Sequence, residues 1–398
     1  MYNGAFSTIA TGIVSTFVPL YLIDALHATH QQVAMLNSLP ALTGLLASLL
    51  GAVWVPRLAL FRKFSVATIL STRMTYLLLA LMPLFTPFAA GLVVDANALA
   101  NFPQTLGNLG WQALIAKLIP PNMRESFFGR RYVLMTLVGL FGTIVTGGLL
   151  QIFNPHAKMP YQGVLVGAFI IGLVEVWYLT RHREPRRATE KPRPLDWSTF
   201  GSLWRHPPFR RYVLLAAFFN FGWQMSWPLF SIFQISTAHA TGLWVGIFTM
   251  ATQAAEVITF TWWGRQARLR GGMGVLGVAA LGVALVPILT VLTPNLWYLT
   301  GVNFYSGIFL SGVTLLLFTE LLHAAPDRDR STAIAFYNVV LGIVAFIAPE
   351  VGVALLKWVH MQDAMLISTI WRAVGAVLFM APLINGVRSR LAHFTASV

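Results

Sequence analysis

The stretch Arg181-His182-Arg183-Glu184-Pro185-Arg186-Arg187, continued by Lys191-Pro192-Arg193-Pro194, is the longest polar run of the chain and stands near its middle. It is basic and rich in proline, the composition of an exposed linker. On either side, apolar runs of about 20 residues follow one another, each long enough to cross a bilayer as a helix. We place six at 2–25, 31–55, 64–86, 88–116, 130–153 and 161–180. Six more fall at 209–235, 241–263, 272–293, 296–322, 332–356 and 364–386. The fold class that follows is an all-α membrane protein with twelve transmembrane helices. It divides into a six-helix bundle 1–180, a linker 181–208 and a second bundle 209–398.

The placement of positive charge agrees. Apart from Lys158, Lys357, Arg73 and Arg372, every Lys and Arg falls in alternate gaps between the apolar runs or at their edges. Arg57, Arg62 and Lys63 fill one such gap, Lys117, Arg124, Arg130 and Arg131 the next basic one, and Arg265, Arg268 and Arg270 a later one. Cytoplasmic loops carry the excess of Lys and Arg, so these gaps and both termini are expected on the cytoplasmic side of a plasma membrane of the bacterial inner-membrane kind. Hydrophobic residues make up 57% of the 398 and charged ones only 10%, with mean hydropathy +0.69. Such a chain is solvated by lipid, and its net charge of +14 is accounted for by loops beside anionic headgroups rather than by nucleic acid. The absence of cysteine excludes disulfides and thiolate metal sites. The first apolar run has no charged residues before it and reads as the first span, not as a signal peptide.

The two halves echo one another. Pro19-Leu20-Tyr21 recurs as Pro228-Leu229-Phe230, and at the same offset of 209 His30 meets His239 and Trp54 meets Trp263. Pro120 and Arg124 recur as Pro326 and Arg330, offset by 206. Parallel six-helix repeats of this kind are one transporter design. With Gly51, Arg57, Arg62 and Lys63 between spans two and three, Gly264 and Arg265 in the partner loop, and Gly139, Gly147 and Gly148 in span five, the chain resembles the major facilitator superfamily (MFS). One departure is from the family's usual loop signature, and two are from its drug–proton antiporters, whose Arg in the fourth span is absent here. Val55 stands where the loop signature has Asp, and Thr143-Ile144 stands where the antiporter signature has Gly-Pro.

The resemblance implies that spans 1, 4, 7 and 10 line a central cavity. Span 4 carries Asn97, Asn101, Gln104, Asn108, Trp111 and Gln112 on one helical face. Span 7 carries Asn220, Trp223, Gln224, Trp227, Ser231 and Gln234; span 10 carries Asn303, Gly307, Ser311 and Thr314; span 1 carries Thr8, Thr11 and Ser15. Amides in lipid need partners, so such stripes face protein or water. Their alternative role is to hold helices together. Amide and indole groups without formal charge suit an uncharged or amphipathic organic solute.

Charges within the spans are functional candidates. Arg372 and Glu350 fall roughly 12 and 9 Å below the external ends of adjacent spans and could pair. Glu256 and Asp95 are proton-carrying candidates, and Arg73 could neutralise either Glu256 or Glu175. Asp24, His27 and His30 follow at steps of three and read either as surface polar residues or as a pH- or metal-sensing group. The resemblance implies a cytoplasmic gate from Gly51, Arg57, Arg62, Lys63, Gly264 and Arg265.

The expected function is alternating-access secondary transport by a monomer in contact with membrane lipid. Proton-coupled export of an uncharged or amphipathic solute leads, and uptake of a sugar-like nutrient follows. A receptor or scaffold that transports nothing is the rival of another class. No cofactor or metal is expected, and no catalytic constellation marks an enzyme.

Overall fold

The computed structural model describes residues 2–58, 60–82, 88–118, 121–154, 156–182, 184, 197–326 and 330–395. Residues 183 and 185–196 of the expected linker, with Pro120 and Arg328, lie outside the described residues, as do the side chains of Lys117, Arg124, Arg130, Arg330, Arg388 and Arg390. Among the described residues every regular element is a helix. The first set is α1 Tyr2–Leu20, α2 His30–Trp54, α3 Phe61–Leu81, α4 Ala89–Leu118, α5 Pro121–Gln151 and α6 Lys158–Thr180. Then come α7 Trp197–Arg205, α8 Pro207–Met225, α9 Trp227–Ile232, α10 Gly242–Arg270, α11 Gly272–Val291, α12 Leu296–Ala324, α13 Arg330–Leu355 and α14 Met361–Thr395.

Ten of these helices are long and apolar enough to cross a membrane. The two remaining long helices are α4 and α8, which carry the amide stripes. Leu99, Phe141, Ile152, Trp297 and Ile370 are among the large apolar side chains exposed on the surface, as lipid-facing positions must be.

Sequence reading misses three features of this architecture. Residues 121–129, expected as loop, are helical, so α5 starts at Pro121, a residue suited to the first helical position. A short helix, α7, sits inside the region expected as linker. Span seven is broken at Ser226, where Pro228 supplies no N–H to continue the ladder.

The chain forms two compact units, residues 1–195 with 234–250 and residues 196–233 with 251–398. In the first, α1 packs on α5 and α6, α3 on α4 and α6, and α2 on α4. Phe17, Tyr21, Leu79, Val93, Leu165 and Ala168 lie in its core. In the second, α11 packs on α12 and α14, and α8 on α13 and α14. Phe209, Phe219, Leu276, Val283 and Phe379 lie in the core there.

Internal geometry repeats along the chain. Thr43 Oγ1 donates to the Ala98 carbonyl at 2.7 Å, joining α2 to α4. Thr252, 209 residues later, donates to the Asn303 carbonyl at 3.1 Å, joining α10 to α12. A π-turn at Tyr21–Ala25 has its echo at Phe233–Thr237. Each is followed by a left-handed histidine, His27 with φ 51° and His239 with φ 52°. Each closes through the same bond, Ala28 to the Leu22 carbonyl and Ala240 to the Gln234 carbonyl, both 2.9 Å. The offset here is 212, so the structural counterpart of His239 is His27 and not His30, which opens α2 behind the Thr29 capping box. The break at Ser226 falls in the same stretch where the register slips by three residues.

Candidate functional site

On α4 the polar stripe divides into two parts. Asn101 Nδ2 donates to the Pro40 carbonyl of α2, and Gly44 leaves room for it: a Cβ there would lie 2.8 Å from that nitrogen. Asn101 is thus a joint between helices, as Thr43 is. Farther along, Gln104 Nε2 donates to Asn108 Oδ1 at 3.0 Å, whereas Gln104 Oε1 is buried with no partner. The Trp111 indole N–H is also buried and unpartnered. Asn108 and Gln112 are exposed and Asn97 is half-buried.

Arg131 stands over this end of the stripe. Its guanidinium carbon is 4.0 Å from the centre of the Trp111 ring, a cation–π stack, and its Nε is buried without a partner. A Cβ at Gly4 of α1 would lie 2.7 Å from Arg131 Nη2. Sequence reading left Arg131 among the cytoplasmic basic residues, because Arg130 and Arg131 close a basic gap. The early start of α5 puts it ten residues, roughly 15 Å, into the helix.

Beside this site Arg73 is fully buried. Its Nε and Nη2 donate to Glu175 Oε2 at 2.9 and 2.6 Å, Nη1 donates to the Tyr76 hydroxyl at 2.6 Å, and Nη2 reaches Ser7 Oγ at 3.3 Å. Of the two acids weighed for Arg73, the partner is Glu175. Gly172, one turn before Glu175, leaves the space through which the Arg73 stem passes. The span 1 hydroxyls turn inward on their own helix, Thr8 to Gly4, Thr11 to Ser7 and Ser15 to Gly12.

In the second unit, Asn220 is buried and donates to the Ala216 carbonyl one turn back at 2.8 Å. Trp223 and Trp227 flank the break with ring centres 6.3 Å apart, edge to face, Trp227 being 43% exposed. Gln224 between them is half-buried.

The span 10 stripe makes contacts with α10. Gly307 lets α12 close on the Thr252 carbonyl, Ser311 Oγ lies 2.8 Å from Thr259 Oγ1, and the Trp263 indole donates to the Ile308 carbonyl at 2.6 Å. Asn303 Nδ2 donates to Leu299 at 2.8 Å, while its carbonyl accepts from Thr252. These residues sew α12 to α10, for the same reason that Asn101 sews α4 to α2.

Arg372 is 1% exposed. It meets the carbonyls of Gly222 and Val283, each at 3.1 Å, that of Trp223 at 3.0 Å, and the Ser226 hydroxyl. The expected Glu350 carboxylate is not among these acceptors, which are the neutral oxygens of α8, Ser226 and α11. Glu350 is half-buried on α13. Glu256 is half-buried midway along α10, a turn after Gln253, and Asp95 is exposed on α4.

Of the residues expected to form a gate, Arg62 donates through Nη1 to the Thr180 and His182 carbonyls at 3.3 and 2.6 Å. Glu184 caps α3, accepting the amide protons of Phe61 and Arg62 at 3.2 and 2.8 Å. These contacts tie Arg62 to the end of α6 in its own unit. Arg57, Lys63 and Arg265 are exposed. Gly51 admits Leu106 and Leu109 of α4, and Gly264 lies near Leu315 of α12. His156 Nδ1 lies 3.0 Å from the Asp24 carbonyl and its ring 6.0 Å from that of His27. No group of three or more His, Asp or Glu among the described residues is arranged to hold a metal ion.

The family model of the Major Facilitator Superfamily matches residues 2–349. The chain belongs to the Major Facilitator Superfamily. It is a multi-pass membrane transporter and not an enzyme. Among solved structures, this MFS chain is similar to a point mutant of the nucleoside transporter NupG. The TM-score is 0.76 at 14% identity, with 96% of this chain and 98% of that one covered. NupG itself gives a TM-score of 0.75 at 14% identity, covering 95% and 96%. No curated protein sequence matches this MFS chain.

Proposed function

We propose that the protein is an alternating-access carrier for a neutral, ring-bearing polar solute, with nucleosides the class to test first and sugars second. One observation carries this reading. Gln104 Oε1, Trp111 Nε1 and Arg131 Nε are buried without partners on one face of the first unit. A buried polar atom left unpaired costs about 1–3 kcal/mol, so three together support a ligand that pairs them. The group offers two donors and one acceptor beside a flat indole, which suits a solute carrying carbonyl and amino or hydroxyl groups on a ring. Trp223, Gln224 and Trp227 give the second unit a similar amide and indole face. The NupG likeness, which is one of fold, points the same way.

In this proposal the carrier works as a monomer among lipids of an inner membrane, with both termini cytoplasmic, and the direction is uptake. Proton-coupled export of an amphipathic compound is the second reading. Glu256 favours the coupling: it is half-buried in α10 and has no hydrogen-bond partner among the described residues.

The test is a thermal-shift screen of purified protein against nucleosides, sugars and amphipathic cations, repeated with Gln104→Ala and Trp111→Ala. Stabilisation by a nucleoside that both variants abolish is the expected result. Stabilisation that survives both substitutions would displace the site, and stabilisation by amphipathic cations alone would displace the solute class. Uptake into right-side-out and everted vesicles, with and without a proton gradient, decides direction and coupling.

A further inference from the structure

Span seven is severed within its apolar length, where the carbonyls at the end of α8 need donors that lipid cannot give. Pro228 has no N–H, so α9 does not supply them all. Ser226 supplies two donors, its N–H to the Gln224 carbonyl and its hydroxyl to that of Trp223 at 3.3 Å, and α14 supplies more. Arg372 lies about eleven residues, roughly 16 Å, along that helix from Met361, near the bilayer midplane. Its Nε serves Gly222, its Nη2 serves Trp223 and Ser226, and its Nη1 serves Val283 of α11. Ser368 adds a second donor to the Gly222 carbonyl at 2.8 Å, and the Trp371 indole donates to Phe218 at 2.8 Å. Close approach is built in. A Cβ at Gly222 would press on the Trp371 ring, and one at Gly352 on the Met225 carbonyl. A cation at a helix C-terminus also meets the negative end of the helix dipole. Only a guanidinium, with five donors in a fixed fork, serves carbonyls on two helices and a hydroxyl at once.

We propose that Arg372 is a positioning residue for solute recognition. It latches the open end of α8, so that Trp223 and Gln224 before the break and Trp227 after it keep one arrangement. The recognition half of this proposal rests on the reading of those three residues as solute-facing; the latch does not.

The two halves are tested separately with Arg372→Gln and Arg372→Lys. Hydrogen–deuterium exchange of solute-free protein is followed in the peptide across residues 220–232. Exchange there rises about tenfold in Arg372→Gln, to a lesser degree in Arg372→Lys, and stays at the wild-type rate in α2. An unchanged rate in Arg372→Gln overturns the latch. Uridine uptake is then measured against concentration. A KM raised about fivefold or more, with maximal rate held within about twofold and partial recovery in Arg372→Lys, is the expected result. A fall in maximal rate at constant KM overturns the positioning role. If the wild type takes up no uridine, the nucleoside reading fails, and the exchange experiment alone decides the latch. Should Arg372→Gln fail to fold, Ser226→Ala removes the hydroxyl that accepts from Arg372 and Ser368→Ala removes a donor to Gly222, and both are read by the same two measurements.

Discussion

Among the described residues each unit buries one arginine between three of its helices, and the two are held in opposite ways. In the first unit Arg73 reaches from α3 to a carboxylate, Glu175 on α6, with Tyr76 and Ser7 completing the shell. In the second, Arg372 reaches from α14 to α8 and α11, where carbonyls and a hydroxyl receive it. One cation is neutralised by a partner charge and the other by aligned peptide dipoles. The difference follows from the helix each one serves. α1 continues as helix through Pro19 to Leu20 and Arg73 meets none of its carbonyls, whereas α8 stops at Met225 and leaves carbonyls that Arg372 reaches. A buried arginine therefore marks charge balance in one unit and backbone repair in the other.

The largest effect should come from unbalancing the first arrangement. Glu175→Gln strands the Arg73 cation and should cost about 3–5 kcal/mol, while Arg73→Met with Glu175→Met together should restore most of it. Thermal melts in detergent check both, and a Glu175→Gln melt equal to the wild type would end the charge-balance account. Next in size is the loss at the solute face. Trp111→Ala should abolish a solute stabilisation worth about 2.7 kcal/mol at a hundredfold excess over Kd. Arg372→Met removes donors but strands no acid that holds it, so the melt should record a smaller loss than Glu175→Gln, about 1–3 kcal/mol. Asn101→Ala should lower the solute-free melt by about 1 kcal/mol and leave solute stabilisation intact, the reverse of Trp111→Ala. The smallest effect is at the turns. His27→Gly and His239→Gly should each stabilise by less than about 1 kcal/mol, since glycine accepts positive φ freely.

Helix positions were legible because apolar length and basic gaps are physical requirements of a bilayer. Span 1, read as 2–25, corresponds to α1 with its π-turn. The repeat was legible at Thr43 and Thr252 only after folding, since threonine–carbonyl pairs leave no pattern in the sequence. Periodicity gave a polar face on α4 but did not separate Asn101, which meets a backbone carbonyl, from Gln104, whose Oε1 meets nothing. That distinction depends on Pro40 and Gly44 of another helix. Arg131 was hidden by its neighbour Arg130, and Glu175 could not be chosen over Glu256 for Arg73 because both lie far off in sequence.

The helices that escape recognition as membrane spans by length and composition, α4 and α8, are those bearing the amides. A segment so polar partitions weakly from the translocation channel into lipid by itself. Each must then enter the bilayer in company. For α4 the escorts are α2 and α3, already synthesised and offering the Pro40 carbonyl that Asn101 requires. For α8 the donors sit on α14, made after α9 to α13, so the carbonyls of Gly222 and Trp223 wait for about 150 further residues before Arg372 reaches them. Biogenesis of the second unit thus closes at its carboxyl end, and truncation before Arg372 leaves it unfinished.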